Sequence, residues 1–80
     1  IDTKRDRITA RDSLEYWEKK NIAIARGNAI ATRGANRLRA DILTAHFEKD
    51  KDGKSQVRKI DALNNIIITR GYKIYTQYTI

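Results

Sequence analysis

Cysteine, proline and methionine are absent from this 80-residue chain, and histidine and tryptophan occur once each. Without cysteine, no disulfide can brace the fold, and one imidazole with no thiolate is a poor basis for a structural zinc site. No metal or cofactor is therefore expected. No run approaches the roughly 18 apolar residues that a membrane-crossing helix needs. No secretory leader is visible, although the chain begins at Ile1 rather than methionine, which suggests a processed protein or a piece of a longer one. The lack of cysteine does not by itself name a compartment. A chain of this length is at most one domain, residues 1–80, and buries only roughly 60% of its unfolded surface. Regular strand pairing, a larger parent domain or self-association must supply the rest of its stability.

Charge of one sign prevails: 17 lysines and arginines face 10 carboxylates, a net charge of +7. That balance suits a polyanionic partner such as nucleic acid, an anionic membrane surface or a phosphorylated glycolipid. An ordinary basic protein without such a partner has the same composition.

The apolar residues are mostly isoleucine with valine and aromatics, types that fit a pleated surface. They fall in short segments bounded by charged or Gly/Asn clusters, which predicts an all-β meander, sandwich or roll. Ile1 to Asp6 reads as a polar, frayed lead-in. From Arg7 to Tyr16, Ile8, Ala10, Leu14 and Tyr16 alternate with Thr9, Arg11, Ser13 and Glu15, which predicts one strand. Helix is the rival over RDSLEYWEKK. Glu18 to Asn21 is a charged turn in which asparagine tolerates positive φ.

The second strand carries Ile22, Ile24, Ile30 and Thr32 on one face and Ala23, Ala25, Ala29 and Ala31 on the other. Gly27-Asn28 interrupts it and reads as a bulge or bend rather than a hairpin turn, because the flanking halves would be too short for a hairpin. After a turn at Gly34-Ala35-Asn36, the third strand spans Arg37 to Glu48. Its apolar face switches near Asp41, which calls for a bulge there or burial on both sides. Lys49 to Ser55 is a loop. The fourth strand runs from Gln56 to about Arg70 with Asn64-Asn65 inside it, and the fifth from Tyr72 to Ile80. IAIARGNAIATRG (Ile22 to Gly34) echoes KIDALNNIIITRG (Lys59 to Gly71), a weak repeat that suits a roll of similar strands.

Catalytic patterns are hard to find. DKDGK, Asp50 to Lys54, has the look of a calcium loop, but lacks the further oxygen ligands and the distal glutamate. His46 has no nucleophile in a recognisable setting, and no glycine-rich phosphate loop precedes a helix. A non-enzyme is expected. A basic β-rich nucleic-acid-binding module is the alternative reading. Stacking would then fall to Tyr16, Trp17, Phe47, Tyr72, Tyr75 and Tyr78, which cluster at strand ends without an RNP-like motif.

Four stretches in order, ITARDSLEYWEKKN, IAIARGNAIATRG, NRLRADILTAHFE and KIDALNNIIIT, cover Ile8 to Thr69. Through them the chain resembles the OstA-like domain of the lipopolysaccharide transport proteins, the LptA family, whose N-terminal-domain relatives include LptC and LptD. Gly27-Asn28 and Arg39-Ala40-Asp41 carry the resemblance best; Asn64-Asn65 stands where the family has Gly-Asn. The resemblance implies an OstA-like β-jelly roll, a V-shaped antiparallel roll incomplete on its C-terminal side. It implies a periplasmic transport protein of outer-membrane biogenesis that holds lipopolysaccharide acyl chains inside and has no nucleic-acid partner. It also implies bridging of the inner and outer membranes by β-strand edge pairing, with other transport proteins or in a homo-oligomer. On that reading the lipid-binding interior wall comprises Ile8, Ala10 and Leu14, then Ile22, Ile24 and Ile30. Leu38, Ile42 and Phe47 follow, then Ile60, Ile66 and Ile68. A basic rim would attract the lipid phosphates. For each wall residue, ordinary core packing is the competing explanation.

Overall fold

Alternating apolar residues pair into one antiparallel sheet of seven strands in the structure, a computed structural model that describes residues 1–71 and the backbone of 73–76. The strands are β1 (Arg7–Thr9), β2 (Ser13–Trp17), β3 (Ile22–Arg33), β4 (Asn36–Lys49), β5 (Ser55–Leu63), β6 (Ile67–Arg70) and β7 (Lys73–Thr76). β3 and β4 are the long central pair. β1 and β2 lie beside opposite halves of β3, and β6 and β5 beside opposite halves of β4. The result is two half-sheets that share β3 and β4: β1-β3-β4-β6-β7 and β2-β3-β4-β5. This is an all-β jelly roll, as expected.

The half-sheets meet at a crease, and each strand crosses it through residues suited to an abrupt change of direction. In β3 the register shifts between Arg26 and Ala29, where Gly27 and Asn28 oppose the single residue Asp41. Both have positive φ, +82° and +43°. On the β5–β6 side Asn64 and Asn65 take φ of +65° and +53°, a region asparagine enters more readily than other side-chain-bearing residues. The two halves of the repeat therefore put equivalent residues on the crease. Polar groups tie it from edge to edge. The Arg11 and Asp12 amides donate to the Gly27 and Arg26 carbonyls at 2.7 and 3.0 Å, and the Asp41 amide to the Asn64 carbonyl at 2.9 Å. Arg39 donates to the Asn28 side chain and, at 3.0 Å, to the Asn65 carbonyl; Asn65 Nδ2 donates to Asp41 at 2.8 Å.

Two expected strands are each split here. Arg7 to Tyr16 is not one strand: Ala10-Arg11-Asp12 spans the crease between β1 and β2. Gln56 to Arg70 likewise divides into β5 and β6 at Asn64-Asn65. At the first break the Arg11 and Asp12 amides still bond β3 carbonyls across its bulge, and at the second the positive φ of Asn64 and Asn65 turns the chain out of the ladder. The bend in β3, the turn at 34–35 and the charged turn after β2 lie where expected, the last as a short 3₁₀ turn at Glu18–Lys20 closed by Asn21 at φ +56°. Of the fifth strand, Lys73–Thr76 is described as β7; the remainder lies outside the described residues.

Which face is inward follows from burial. The inner face of β3 is Ala23, Ala25, Ala29 and Ala31, all buried. Cross-strand partners continue it: Ala23 faces Ala45, Ala25 faces Leu43, Ala29 faces Ala40 and Ala31 faces Leu38. Larger side chains come from β4 itself, Leu43 and Phe47, and from the flanks, Ile8 and Val57, all buried, and Ala10, Ile60, Ala62 and Ile66 pack against them. The short side chains of β3 leave room for these larger ones as the sheet closes on itself. The fully buried Ile8 and Leu43 each contribute about 1.5–3 kcal/mol by leaving water.

This arrangement corrects part of the expected wall. Side chains alternate across a strand, so Ile22, Ile24 and Ile30, which interleave with the buried alanines, stand on the outer face. Ile42, next to buried Leu43 and opposite Arg26, is outer as well. The switch at Asp41 is a β4 irregularity at the crease: Ala40 and Leu43 are both inner.

Candidate functional site

The crease brings the far ends of the two half-sheets toward each other, and a cavity of about 440 Å³ opens between them. One side of its floor is the inner-face row Ala31–Leu38–Ile68, set by cross-strand pairing. The other side is Val57 and Ile60 of β5. β5 is offset there by a bulge, since Phe47 pairs with Val57 and His46 with Lys59, leaving Arg58 extra.

The rim is cationic. Arg33 ends β3, Arg37 is the second residue of β4 and Arg70 ends β6, so the strand register gathers all three at one end. Arg58 and Lys59 line the cavity from the opposite half-sheet. One carboxylate among the described residues, Asp6, lines it with them. Among the described residues, Arg37, Arg58 and Arg70 have no carboxylate within 4.0 Å, and Lys59 meets Asp61 at 3.8 Å.

Asp6 was expected in a frayed lead-in and is instead buried, its side chain 4% exposed. Arg33 clasps it with both arms of the guanidinium, Nε to Oδ1 at 2.6 Å and Nη2 to Oδ2 at 2.9 Å. That hydrogen bond raises the Arg33 pKa above its ordinary value. The segment carrying Asp6 is itself folded. Thr3 donates its amide to the Asp6 carbonyl at 2.8 Å, the Ile8 amide donates to the Ile1 carbonyl at 2.8 Å, and Asp2 bridges to Arg7. The separation of 27 positions between Asp6 and Arg33 leaves no local signal from which the pair could be read in the sequence.

Of the expected wall, the structure brings Ile8, Ala10, Leu38, Phe47, Ile60 and Ile66 into or against the inner core, and Leu38, Ile60 and Ile68 line the cavity. Leu14 pairs with Ala25 on the inner face but is 41% exposed at the flank. Ile22, Ile24, Ile30 and Ile42 are not among these groups. With Trp17 opposite Ile22 and Leu63 opposite Ile42, they make a mixed outer face broken by the Glu15–Arg26 and His46–Asp61 pairs. His46 meets Asp61 at 2.9 Å there, away from the cavity lining. The loop after β4 is an Asx turn: Asp50 accepts the amides of Asp52 and Lys54 at 2.9 and 3.0 Å.

Three carboxylates sit below their ordinary pKa: Asp12 through the Arg11 guanidinium, Asp50 through the Lys54 amide, and Asp61 through His46. A lowered folded pKa gives stability that is present above the unfolded value, about 4, and is lost as pH falls through the folded one. The urea midpoint should therefore hold from pH 7 to 5 and fall steadily below about 4. A midpoint that rises on acidification would contradict these assignments.

Neither the curated proteins nor the solved structures give a match to this chain. A family model does match, described as LptA/(LptD N-terminal domain) LPS transport protein, over residues 7–77. That span takes in every strand of the roll, its crease motifs and the cavity-lining residues of β3 to β6, and the chain belongs to this lipopolysaccharide transport family.

Proposed function

We propose that the chain is a non-enzymatic carrier of lipopolysaccharide that shelters acyl chains between its half-sheets while the basic rim meets the lipid phosphates. The observation that carries this reading is the cavity: an apolar floor of Ala31, Leu38, Val57, Ile60 and Ile68 under five cations. Its volume lies in the range of ligand sites, about 300–1,000 Å³. Each methylene taken from water gains about 0.8 kcal/mol. Arginine matches phosphate oxygens with paired donors. The working place on this reading is the periplasm. Handover runs by strand addition to other transport proteins or to further copies of the chain. Among the described strands, β2 pairs only with β3 and β5 only with β4, which leaves edges of the kind such pairing uses.

Photo-crosslinking residues at Leu38, Ile60 and Ile68 should capture lipopolysaccharide, whereas those at Ile24 and Ile30 on the outer face should not. Capture confined to the outer face, or none at the three inner positions, overturns the reading. A generic oligonucleotide titrated at several salt concentrations is the control: tight binding with a steep salt slope would favour a nucleic-acid module instead.

A further inference from the structure

We propose that Arg33 is an anion site occupied by the protein's own Asp6 until the phosphate of a bound lipid replaces it, releasing the Thr3–Asp6 turn from the cavity. The inference rests on the lipid-carrier reading and adds what the head group displaces.

The Asp6 carboxylate lines the cavity and makes the bidentate contact to Arg33 that a phosphate would make. Among the described residues it is the only carboxylate there, set among four further cations. A phosphate arriving at this rim is attracted by Arg37, Arg58, Lys59 and Arg70 together; Lys59 also meets Asp61 at 3.8 Å, and Arg33 is held at 2.6 Å by a carboxylate that itself lines the cavity. Arg33 keeps about half its side chain exposed, 49%, so an incoming anion can reach it, whereas Asp6 is almost fully covered. Losing Arg33 leaves that carboxylate buried without its cation, which is strongly unfavourable. Relief requires Asp6 to move into water, and it moves with the turn that holds it, Thr3 to Asp6. Exchange at one guanidinium therefore couples head-group arrival to release of that turn. Coupling of this kind is reciprocal: whatever favours the released turn also tightens lipid binding.

The chain has no cysteine, so Arg5→Cys in the N-terminal turn and Asp52→Cys in the turn after β4, both at exposed positions, give a clean pair of spin labels that reports movement of the N-terminal turn. Dodecyl phosphate and dodecyl maltoside, below their micelle concentrations, supply the same tail with and without phosphate. The label distance should widen with dodecyl phosphate and stay unchanged with dodecyl maltoside, although both bind. Asp6→Asn should start widened and bind dodecyl phosphate roughly five- to tenfold more tightly, since the competing state is removed. Arg33→Gln should lose the preference for the phosphate. The wild-type distance measurement decides even if Asp6→Asn fails to fold. If both amphiphiles bind and neither moves the labels, the exchange is wrong and the carrier reading stands. If neither binds, the carrier reading fails and the exchange falls with it.

Discussion

Gly27→Ala should destabilise the roll by about 2–4 kcal/mol, read as a fall in the urea midpoint at unchanged slope. Two causes add. The residue sits at φ +82°, where a side chain meets its own backbone at a cost of about 1–2 kcal/mol. A Cβ built there also lands on the carboxylate of Asp12. Asp12 cannot simply retreat: its amide is bonded to the Arg26 carbonyl and its carboxylate is gripped by Arg11 at 2.8 and 3.2 Å. The contributions separate by comparison. Gly34 also has positive φ, +58°, but faces open space, so Gly34→Ala should cost only about 1–2 kcal/mol. In an Asp12→Gly background, Gly27→Ala should approach that smaller value, because the Asp12 side chain it meets, Cβ included, is gone and the dihedral remains. Equal costs for the two glycines in the native background would mean that the crease tolerates a side chain, and that its packing is looser than described.

Leu43→Ala and Ile42→Ala should differ sharply although the residues are adjacent and both apolar. Leu43 is 1% exposed, between Ala25 and Ala62 on the inner face. Truncating it leaves a void that alanine neighbours cannot fill, costing about 3–4 kcal/mol. Ile42 is half-buried on the outer face, between Arg26 and Leu63. Its truncation removes partly hydrated surface and should cost about 1 kcal/mol. Thermal or urea unfolding of the two variants measures this directly. A larger loss at Ile42 would reverse the inner and outer faces of β4, and with them the position of the cavity floor.

The sequence carries the bend far better than the facing. Gly27-Asn28 stands out because it interrupts two alternating halves too short to form a hairpin, and the polarity switch at Asp41 points to the same line across the sheet. Asn64-Asn65 repeats the signal in the second copy of the motif. Alternation separates Ile22, Ile24 and Ile30 from Ala23, Ala25, Ala29 and Ala31, but gives no reason for either set to be inside. Bulk favours the isoleucines; closure of the sheet favours the alanines, because Ile8, Leu43 and Phe47 already fill the space above them. The break between β1 and β2 is hidden for a different reason. Ala10-Arg11-Asp12 leaves the alternation intact across the crease, so the pattern reads straight through. The Asp6–Arg33 clasp and the cavity exist only once strands distant in the chain are brought together.

The strand order has a consequence for how the two halves are joined. β3 and β4 run through both half-sheets without a break in the chain, and the shorter strands lie beside one half or the other. Both half-sheets are built on the same β3–β4 pair, so the crease divides the shape of the protein without dividing its central pairing.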